Sequence, residues 1–450
     1  MGSVVNPARP VWEDFEDRGV ILSIAKEDDD VIAYRVENVL AYQDSISVLK
    51  LFESSRIASI FSSSNITSSK CAEILDDFDT GKVIEVIEDD NMDIEKVSEI
   101  FLSPKLSADK KQAVFYDMID KKQYAKVVKI MTSKLSDLNV TSDTTISDTA
   151  NFYRDINIDS GVNLYIQGYG YLIARTINNS GSIISDWIPS SGASAPAGGG
   201  DGGDAGGSLI VFADTFSVGT IKANGYDGGD GSTTSTSSSG NRASCSGIYL
   251  LMVSGYSYGS GHTIGGSCAD TGGYGGSDSL GGGGGGGGTK DYSGGYACYQ
   301  GNLESHSTIE SLLTRILKSI TDYWIENVAG QSLASKESLR VYGGSGGGSG
   351  AVQDGNGCGG GGGGCAGEII IYANNLTAGY IEGKGGNGGN GGNEGPCDCG
   401  GAGGNGSIVY IAYSGTLTGS FTYDLSGGNG GGGDYSGDNG KTGVFQVWAV

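Results

Sequence analysis

Residues 367–393 read Gly-Glu-Ile-Ile-Ile-Tyr-Ala-Asn-Asn-Leu-Thr-Ala-Gly-Tyr-Ile-Glu-Gly-Lys and then Gly-Gly-Asn three times. Its apolar runs at 369–373 and 380–381 are short and bounded by glycine, which predicts two β-strands joined by a turn. The triplets at 385–393 have the three-residue period of the polyproline II helix. The sequence therefore predicts short strands that alternate with glycine segments of threefold period.

The same block occurs three times, beginning at Gly207, Gly367 and Gly406. In each copy an apolar strand follows the glycine tract, and a second strand follows a further glycine. Such internal repetition indicates stacked units, because apolar residues such as Ile369 and Ile371 need a neighbouring surface to cover them. Two architectures are compatible with the pattern, a β-solenoid and a polyglycine II-like bundle.

An isolated glycine helix would not hold its shape, because glycine loses more backbone entropy on ordering than any other residue. Helices packed side by side remove this difficulty, since backbones without Cβ atoms approach until each N–H meets a neighbouring carbonyl. The third residue of each triplet, at Asn387, Asn390 and Asn393, is then expected to face outward. A flexible linker is the alternative, but the in-phase triplets and repeated apolar strands argue against it.

Glycine content also divides the chain, since only six of the 83 glycines precede Gly181. The fold class is expected to be multidomain α + β. We expect an N-terminal anchor or small mixed domain at 1–60, a short-helix repeat module at 66–135, and a polar linker at 136–150. A glycine-rich β head then spans 151–450, with a helix-containing insert at about 231–350.

The helical repeats rest on a short unit that begins at Lys70, Lys82 and Lys96, with a looser copy at Lys126. Steps of this length suit one short helix plus a turn. Each helix can bury one apolar stripe only against its neighbours, which predicts a compact helical module or stalk. The Lys and Glu residues of each unit are interpreted as its solvated face.

The insert combines a helix with a tyrosine-rich segment. Residues 307–328 have the pattern of an amphipathic helix, whose apolar stripe is expected to pack within the monomer. The alternatives are that the helix covers an exposed sheet or forms an oligomer interface. Tyrosine among Gly and Ser is the mixture that binding loops use. The candidate contact residues are Tyr256, Tyr258, Tyr274, Tyr292, Tyr296 and Tyr299.

Seven of the eight cysteines lie in the glycine-rich half, which favours disulfides in an oxidising setting. Because seven is an odd number, at least one thiol is expected to be free or to pair elsewhere, and the sequence alone does not assign the pairing. A zinc site is the alternative for the last four of them, but disulfides are favoured for an exterior protein. The disulfide candidates are Cys245, Cys268, Cys298, Cys358, Cys365, Cys397 and Cys399.

The net charge of −24, with only 28 basic residues, argues against nucleic acid and against anionic membranes as partners. No apolar run is long enough to predict membrane insertion. The two histidines, His262 and His306, lie in no recognisable catalytic setting, so no enzymatic activity is expected. The glycine tracts lack the Gly-Lys-Ser/Thr of a phosphate loop, and neither a cofactor nor a metal site is predicted.

Residues of about 190–450, with their Gly-x-Ile-x-Ile-x-Ala and Gly-Gly-Asn motifs, resemble the glycine-rich tips of viral tail-fibre adhesins. With the preceding helical repeats, the chain looks like a tail or receptor-binding protein of a spindle-shaped archaeal virus. The resemblance implies a homo-oligomer at the virion tail or tip, exposed to the extracellular medium. It would join other tail proteins through its N-terminal region and bind a host cell-surface glycan or protein.

Two alternatives to this attachment function are a purely architectural virion component without receptor binding and a cellular glycine-rich surface protein. The second requires an export route, and the N-terminus has no basic-plus-apolar signal segment that would predict one.

Overall fold

The computed structural model describes residues 23–24, 26–147, 150–167, 169–186, 200–231, 306–336, 359–392 and 399–450. The protein contains both α-helices and parallel β-sheets. It divides into two compact units, which are described separately below. The helical unit comprises Met1–Lys134 with Thr314–Leu339, and the β unit comprises Leu135–Leu313 with Arg340–Val450.

The helical unit is built from short helices, most of them eight to ten residues long. Most of these helices pack against the helix two positions further along the chain, so alternate helices form stacked rows. Every one buries an apolar stripe, as Ile57, Ile60 and Phe61 do in α3. The helices are α1 Asp29–Asn38, α2 Tyr42–Leu49, α3 Ser54–Ser62, α4 Ser68–Asp76, α5 Thr80–Glu88, α6 Ile94–Leu102, α7 Ala108–Asp120 and α8 Tyr124–Thr132.

A basic residue occupies the third position of every helix from α3 to α8. Lys82 Nζ donates to the carbonyl of Phe52 beyond α2 at 3.3 Å, and Lys126 Nζ donates to that of Glu88, the last residue of α5, at 2.7 Å. A cation at a helix C-terminus stabilises carbonyls that lack an intrahelical partner. In α5 to α8 the lysine therefore joins its helix to the end of the helix three positions earlier.

This arrangement corrects the interpretation of the repeated lysines as a solvated face. The side chains of Lys70, Lys82 and Lys110 are only 19, 24 and 16% exposed. Their aliphatic stems lie along the stacked helices while the ammonium groups reach carbonyls or carboxylates. Sequence reasoning missed this because the acceptor carbonyls lie about 30 residues earlier in the chain.

The helix of the insert, α9, spans His306–Asn327, and its expected apolar stripe is buried. The part from Thr314 onward belongs to the helical unit. Trp324 packs edge-on against Phe115 and donates its indole N–H to the Met131 carbonyl at 3.0 Å. The part of the helix from Thr314 onward therefore packs within the monomer, as the sequence predicts.

Two expected segments differ from the structure. The described residues before 60 form α1 to α3, which continue the helical repeats instead of forming a mixed domain; their apolar runs, such as Val31–Tyr34, are too short to reveal the helical period. The expected linker at 136–150 contains β1 and β2, three-residue strands that are too short for an alternation to stand out.

The β unit contains two parallel sheets, and the chain alternates between them at each strand. Odd-numbered strands form a seven-stranded sheet in the order β1-β3-β5-β7-β9-β11-β13, and even-numbered strands form a six-stranded sheet. The strands are β1 Leu138–Val140, β2 Thr144–Ile146, β3 Ala150–Ile158, β4 Asn163–Gln167, β5 Tyr169–Asn179, β6 Ser182–Asp186, β7 Ser208–Ser217, β8 Thr220–Lys222, β9 Ile369–Thr377, β10 Tyr380–Glu382, β11 Ile408–Thr418, β12 Thr422–Asp424 and β13 Val444–Ala449.

The core of the β unit lies between the two sheets, where equivalent residues of successive strands stack in columns. One column contains Leu209, Ile369, Val409 and Phe445 on the seven-stranded sheet. The facing column on the six-stranded sheet contains Leu164, Ile183, Ile221, Ile381 and Tyr423. The run at 369–373 is apolar without alternation because all five of these residues are buried, so both faces of the strand are covered, as is usual in parallel sheets.

Candidate functional surface on the glycine-rich arms

We call each pass of the chain that adds one strand to each sheet a coil. The glycine tracts lengthen these coils and lie against each other as pairs of arms. We call a tract that leaves the six-stranded sheet an outgoing arm and one that enters the seven-stranded sheet a return arm. The described outgoing arms are 223–231, 383–392 and 425–432, and the described return arms are 200–207, 359–367, 399–406 and 436–443.

Arms of the same kind lie side by side and run parallel. In the outgoing layer, Gly385 donates to the Ser426 carbonyl at 2.9 Å and Gly388 to that of Asn429 at 2.8 Å. In the return layer, Gly360 and Gly363 donate in the same way to Cys399 and Ala402. One N–H in every three residues therefore joins neighbouring coils.

The two layers are joined by the next N–H of each triplet. Gly386 donates to the Gly364 carbonyl at 2.8 Å, and Gly389 donates to that of Gly361 at 2.7 Å. The donor numbers rise as the acceptor numbers fall, so outgoing and return arms are antiparallel. Two of the three N–H groups in each triplet thus donate to backbone carbonyls. These hydrogen bonds offset the large loss of backbone entropy that ordering a glycine chain requires.

These contacts leave no room for side chains. A Cβ atom on Gly386 would lie 1.9 Å from the Tyr226 carbonyl oxygen, and one on Gly388 would lie 1.9 Å from that of Gly401. Real Cβ atoms do not approach backbone oxygens so closely. Where an arm has described neighbours on both sides, its packing consequently favours glycine at two of every three positions; Ala366 is the exception, and the first described arms carry Asp201, Asp204 and Tyr226 at such positions.

The third residue of each outgoing triplet faces solvent. Its N–H is bonded to the side chain stacked on it in the preceding coil: Asn387 N donates to Asp227 Oδ1 at 2.6 Å, and Asn429 N donates to Asn387 Oδ1 at 2.8 Å. Asp230 and Asn390 repeat the pattern three residues further along. The outcome is a regular rim of exposed side chains, formed by Asp227, Asp230, Asn387, Asn390 and Asn429.

The last return arm departs from glycine on the side where the structure describes no further arm. In the two preceding return arms, each carbonyl that accepts a hydrogen bond from the neighbouring return arm is followed by glycine, except at Ala366. In the last return arm, the residues that follow these carbonyls are Ser436, Asn439 and Thr442. Asn439 Oδ1 accepts the N–H of Gly430 at 2.8 Å and so stands in for the carbonyl of a further arm. The arm lattice is closed at this coil by polar side chains.

A row of charges crosses the outer face of the six-stranded sheet beside the arms. Lys384 Nζ lies 2.8 Å from Asp424 Oδ2, and Lys222 Nζ lies 3.7 Å from Glu382 Oε1. The ion pair holds the pKa of the Asp424 carboxyl below its usual range and raises the pKa of Lys384. These partly exposed charges satisfy one another and align neighbouring coils.

The sequence-predicted site residues fall into two groups. The six candidate tyrosines, Asn393, and the cysteines Cys245, Cys268, Cys298, Cys358 and Cys397 lie outside the described residues. Cys365 and Cys399 lie buried on neighbouring return arms, but the register sets Cys399 beside Gly359, six residues from Cys365. At about 3.1 Å per residue these two are too far apart for a disulfide with each other.

Sequence reasoning missed Asp227 and Asp230 as members of the rim. Their signal was present, because Gly-Tyr-Asp-Gly-Gly-Asp at 225–230 has the phase of the later Gly-Gly-Asn triplets. Asp201 and Asp204 have the same spacing in the sequence, but they lie on a return arm, and Asp204 is buried.

Within the described ranges, no cluster of His, Cys, Asp and Glu side chains is arranged to hold a metal ion, and no helix has the length and apolar character needed to cross a bilayer. The surface with the greatest regularity is therefore the pair of arm layers and their rim. In comparisons with known proteins, no family model, no curated protein and no solved structure matches this chain.

Proposed function

We propose that the β unit is a β-solenoid whose coils are lengthened by polyglycine II arms, and that it forms the attachment head of a virion tail protein. The observation that carries this proposal is the two-layer hydrogen-bonded lattice of the arms. Three features support it: a three-residue hydrogen-bond period, antiparallel layers, and glycine at nearly every position where an arm is enclosed by the backbones of neighbouring arms.

The arms hold several chain connections at one edge. Outgoing arms end near Gly231, Gly392 and Gly432, which are neighbours across the layer because Gly231 donates to Asn390 and Gly391 donates to Gly432. Each connection to a return arm starts there. Binding residues are disproportionately found on connections that a rigid scaffold positions, and a lattice of this kind is such a scaffold.

The connection between Gly231 and Gly359 contains the six candidate tyrosines. Tyrosine supplies contact area with few rotatable bonds, and the surrounding Gly and Ser let a loop adapt to its ligand. Tyr435, which is 40% exposed, lies in the last connection at the same edge. We propose that this edge contacts a glycan or protein of the host surface, since the acidic chain repels polyanions.

The helical unit is proposed to join the head to other tail proteins through the N-terminal region. The assembly would place the chain at the tail or tip of a virion, and its adhesive function would need neither a cofactor nor a catalytic residue.

A cell-binding assay tests the attachment function. Labelled full-length protein is expected to bind host cells saturably. Replacing Tyr292, Tyr296 and Tyr299 together by Ser should weaken binding at least about tenfold, since interface aromatics are frequent hot spots. Tyr34→Ser is the matched control, because Tyr34 is 54% exposed but lies on α1 of the helical unit.

Two results would contradict the attachment function. One is the absence of saturable binding by protein whose circular dichroism shows that it is folded. The other is an equal loss of binding in the tyrosine triple variant and in Tyr34→Ser. Incorporation into particles without cell binding would leave the purely architectural function.

A further inference from the structure

The edge of the seven-stranded sheet at β13 exposes the end of the inter-sheet core. Phe445 and Val447 occupy inward-facing columns but remain partly exposed, and Tyr423, the last member of its column, is 53% exposed. Tyr423 and Phe445 stack at 4.2 Å between ring centroids. Stacked repeats ordinarily need a polar outer face on their terminal unit, and this surface has an apolar one.

The sequence of this edge contains neither the charges nor the proline that usually keep edge strands apart. Residues 442–450 contain no Asp, Glu, Lys, Arg or Pro, in a chain whose net charge is −24. Edge strands of monomeric proteins are usually protected by charges, by proline or by a covering element. Two copies of this acidic chain could meet here without bringing like charges together, which is not true of most of its surface.

The last arm limits what can stack on this edge. Another coil with arms would lay its outgoing arm against Ser436, Asn439 and Thr442. At the equivalent Gly400, a Cβ atom would lie 1.9 Å from the Gly431 carbonyl oxygen of the next outgoing arm. The side chains at the last arm therefore prevent another coil with arms from stacking there. A head-to-tail copy would present its β1 strand, whose coil has no described arm, and repeated addition would give an open filament. An isologous contact about a twofold axis closes the assembly and is the commonest arrangement of homo-oligomers.

We propose that a second copy of this chain docks on the surface formed by β13 and the Tyr423–Phe445 pair, with the two β13 strands antiparallel about a twofold axis. Side chains that lie directly opposite each other on paired strands point to the same face of the sheet. A twofold axis perpendicular to the sheet therefore keeps the core-facing side chains of both copies on one side. One such register puts Gln446 opposite its own counterpart. Phe445 of each copy then lies opposite Val447 of the other, and the two cores become continuous.

Light scattering of the full chain after size exclusion tests the docking surface. A dimer is expected for the unaltered protein at micromolar concentration. Val447→Lys should weaken the dimer at least about tenfold, because a charge would be buried without a partner. Leu51→Lys is the control, since Leu51 is 57% exposed in the helical unit; it should leave the dimer intact. Circular dichroism checks that each variant is folded.

Oxidative crosslinking tests the axis. Gln446→Cys should form a covalent dimer, because residues on the axis of an antiparallel pair have Cα atoms about 4.5–5.5 Å apart, within disulfide range. Ala449→Cys, three residues from the axis on the same strand, should not, and the unaltered protein shows the background from the native cysteines.

The proposal is overturned by a monomer throughout the concentration series, by a dimer that Val447→Lys does not weaken, or by equal crosslinking at 446 and 449. A monomer that instead binds another protein at this edge also overturns it. None of these measurements involves host cells, so they are independent of the attachment assay.

Discussion

Glycine has opposite consequences at adjacent positions of the same arm. A Cβ atom on Gly431 would lie 1.9 Å from the carbonyl oxygen of Gly389, whereas one on Gly432 would lie 3.2 Å from the side-chain oxygen of Asn390, which can move. The first glycine is required by a backbone of the neighbouring arm. The second occupies a rim position, where other coils have Asn or Asp.

Gly431→Ala is expected to destabilise the β unit by about 2 kcal/mol or more, because overpacking against a backbone forces the arms apart. Gly432→Ala should change its stability by less than about 0.5 kcal/mol, as surface substitutions usually do. Scanning calorimetry measures both, and the transition of the helical unit is an internal reference. Equal stabilities of the two variants would contradict the packing of the arms.

The rim was largely predictable from the sequence at this scale, since the triplet phase alone predicts that Asn387 and Asn390 face outward. The bond that each rim side chain makes was not predictable. It depends on which coil lies beside which, and the partner of Asn387, Asp227, lies on the other side of the whole insert.

At the scale of elements, the short helices of the helical unit pack through their apolar stripes and are joined further by lysines. Helices of about nine residues are marginal in isolation, so their stability depends on tertiary contacts. A lysine that reaches the carbonyls of an earlier helix adds a charged hydrogen bond at a position where carbonyls lack partners. The same residue type on the exposed surface adds much less.

Lys126→Met should destabilise the helical unit by about 1–2 kcal/mol, because the Glu88 carbonyl loses a charged donor at 2.7 Å. Methionine keeps the length of the aliphatic stem. Lys134→Met is the matched control: Lys134 makes ion pairs with Glu95 and Glu99 at 2.9 and 3.0 Å, but at the surface. Its loss should cost less than about 1 kcal/mol. A larger effect at 134 than at 126 would refute the capping function.

The strands show where prediction at this scale stops. The three strong blocks correspond to β7–β8, β9–β10 and β11–β12, whose glycine tracts mark the boundaries. The earlier coils have no such tracts: Leu138 pairs with Ile156, only one short coil along, whereas Leu209 pairs with Ile369 across the insert. A variable coil length hides the repeat, so β1 and β2 resemble a linker.

At the scale of the β unit, its suitability for attachment depends on whether the arms are rigid. Glycine chains are stiff only while neighbouring arms hold them, so order in the arms should be cooperative across coils. Hydrogen exchange reports this directly, because amides that open only with the lattice exchange slowly. The triplet geometry further predicts that the three amides of each triplet do not behave alike.

Gly388 and Gly389, whose N–H groups donate to carbonyls of neighbouring arms, should exchange slowly in the full chain. The Asn387 amide should exchange faster, since its acceptor is the exposed side chain of Asp227. Asp227→Ala should accelerate exchange at Asn387 alone, because the backbone bonds of the lattice do not depend on that carboxylate. Fast exchange at all three amides would mean that the arms are flexible linkers, and a flexible arm could not hold the connections at its end in a fixed arrangement for a host surface.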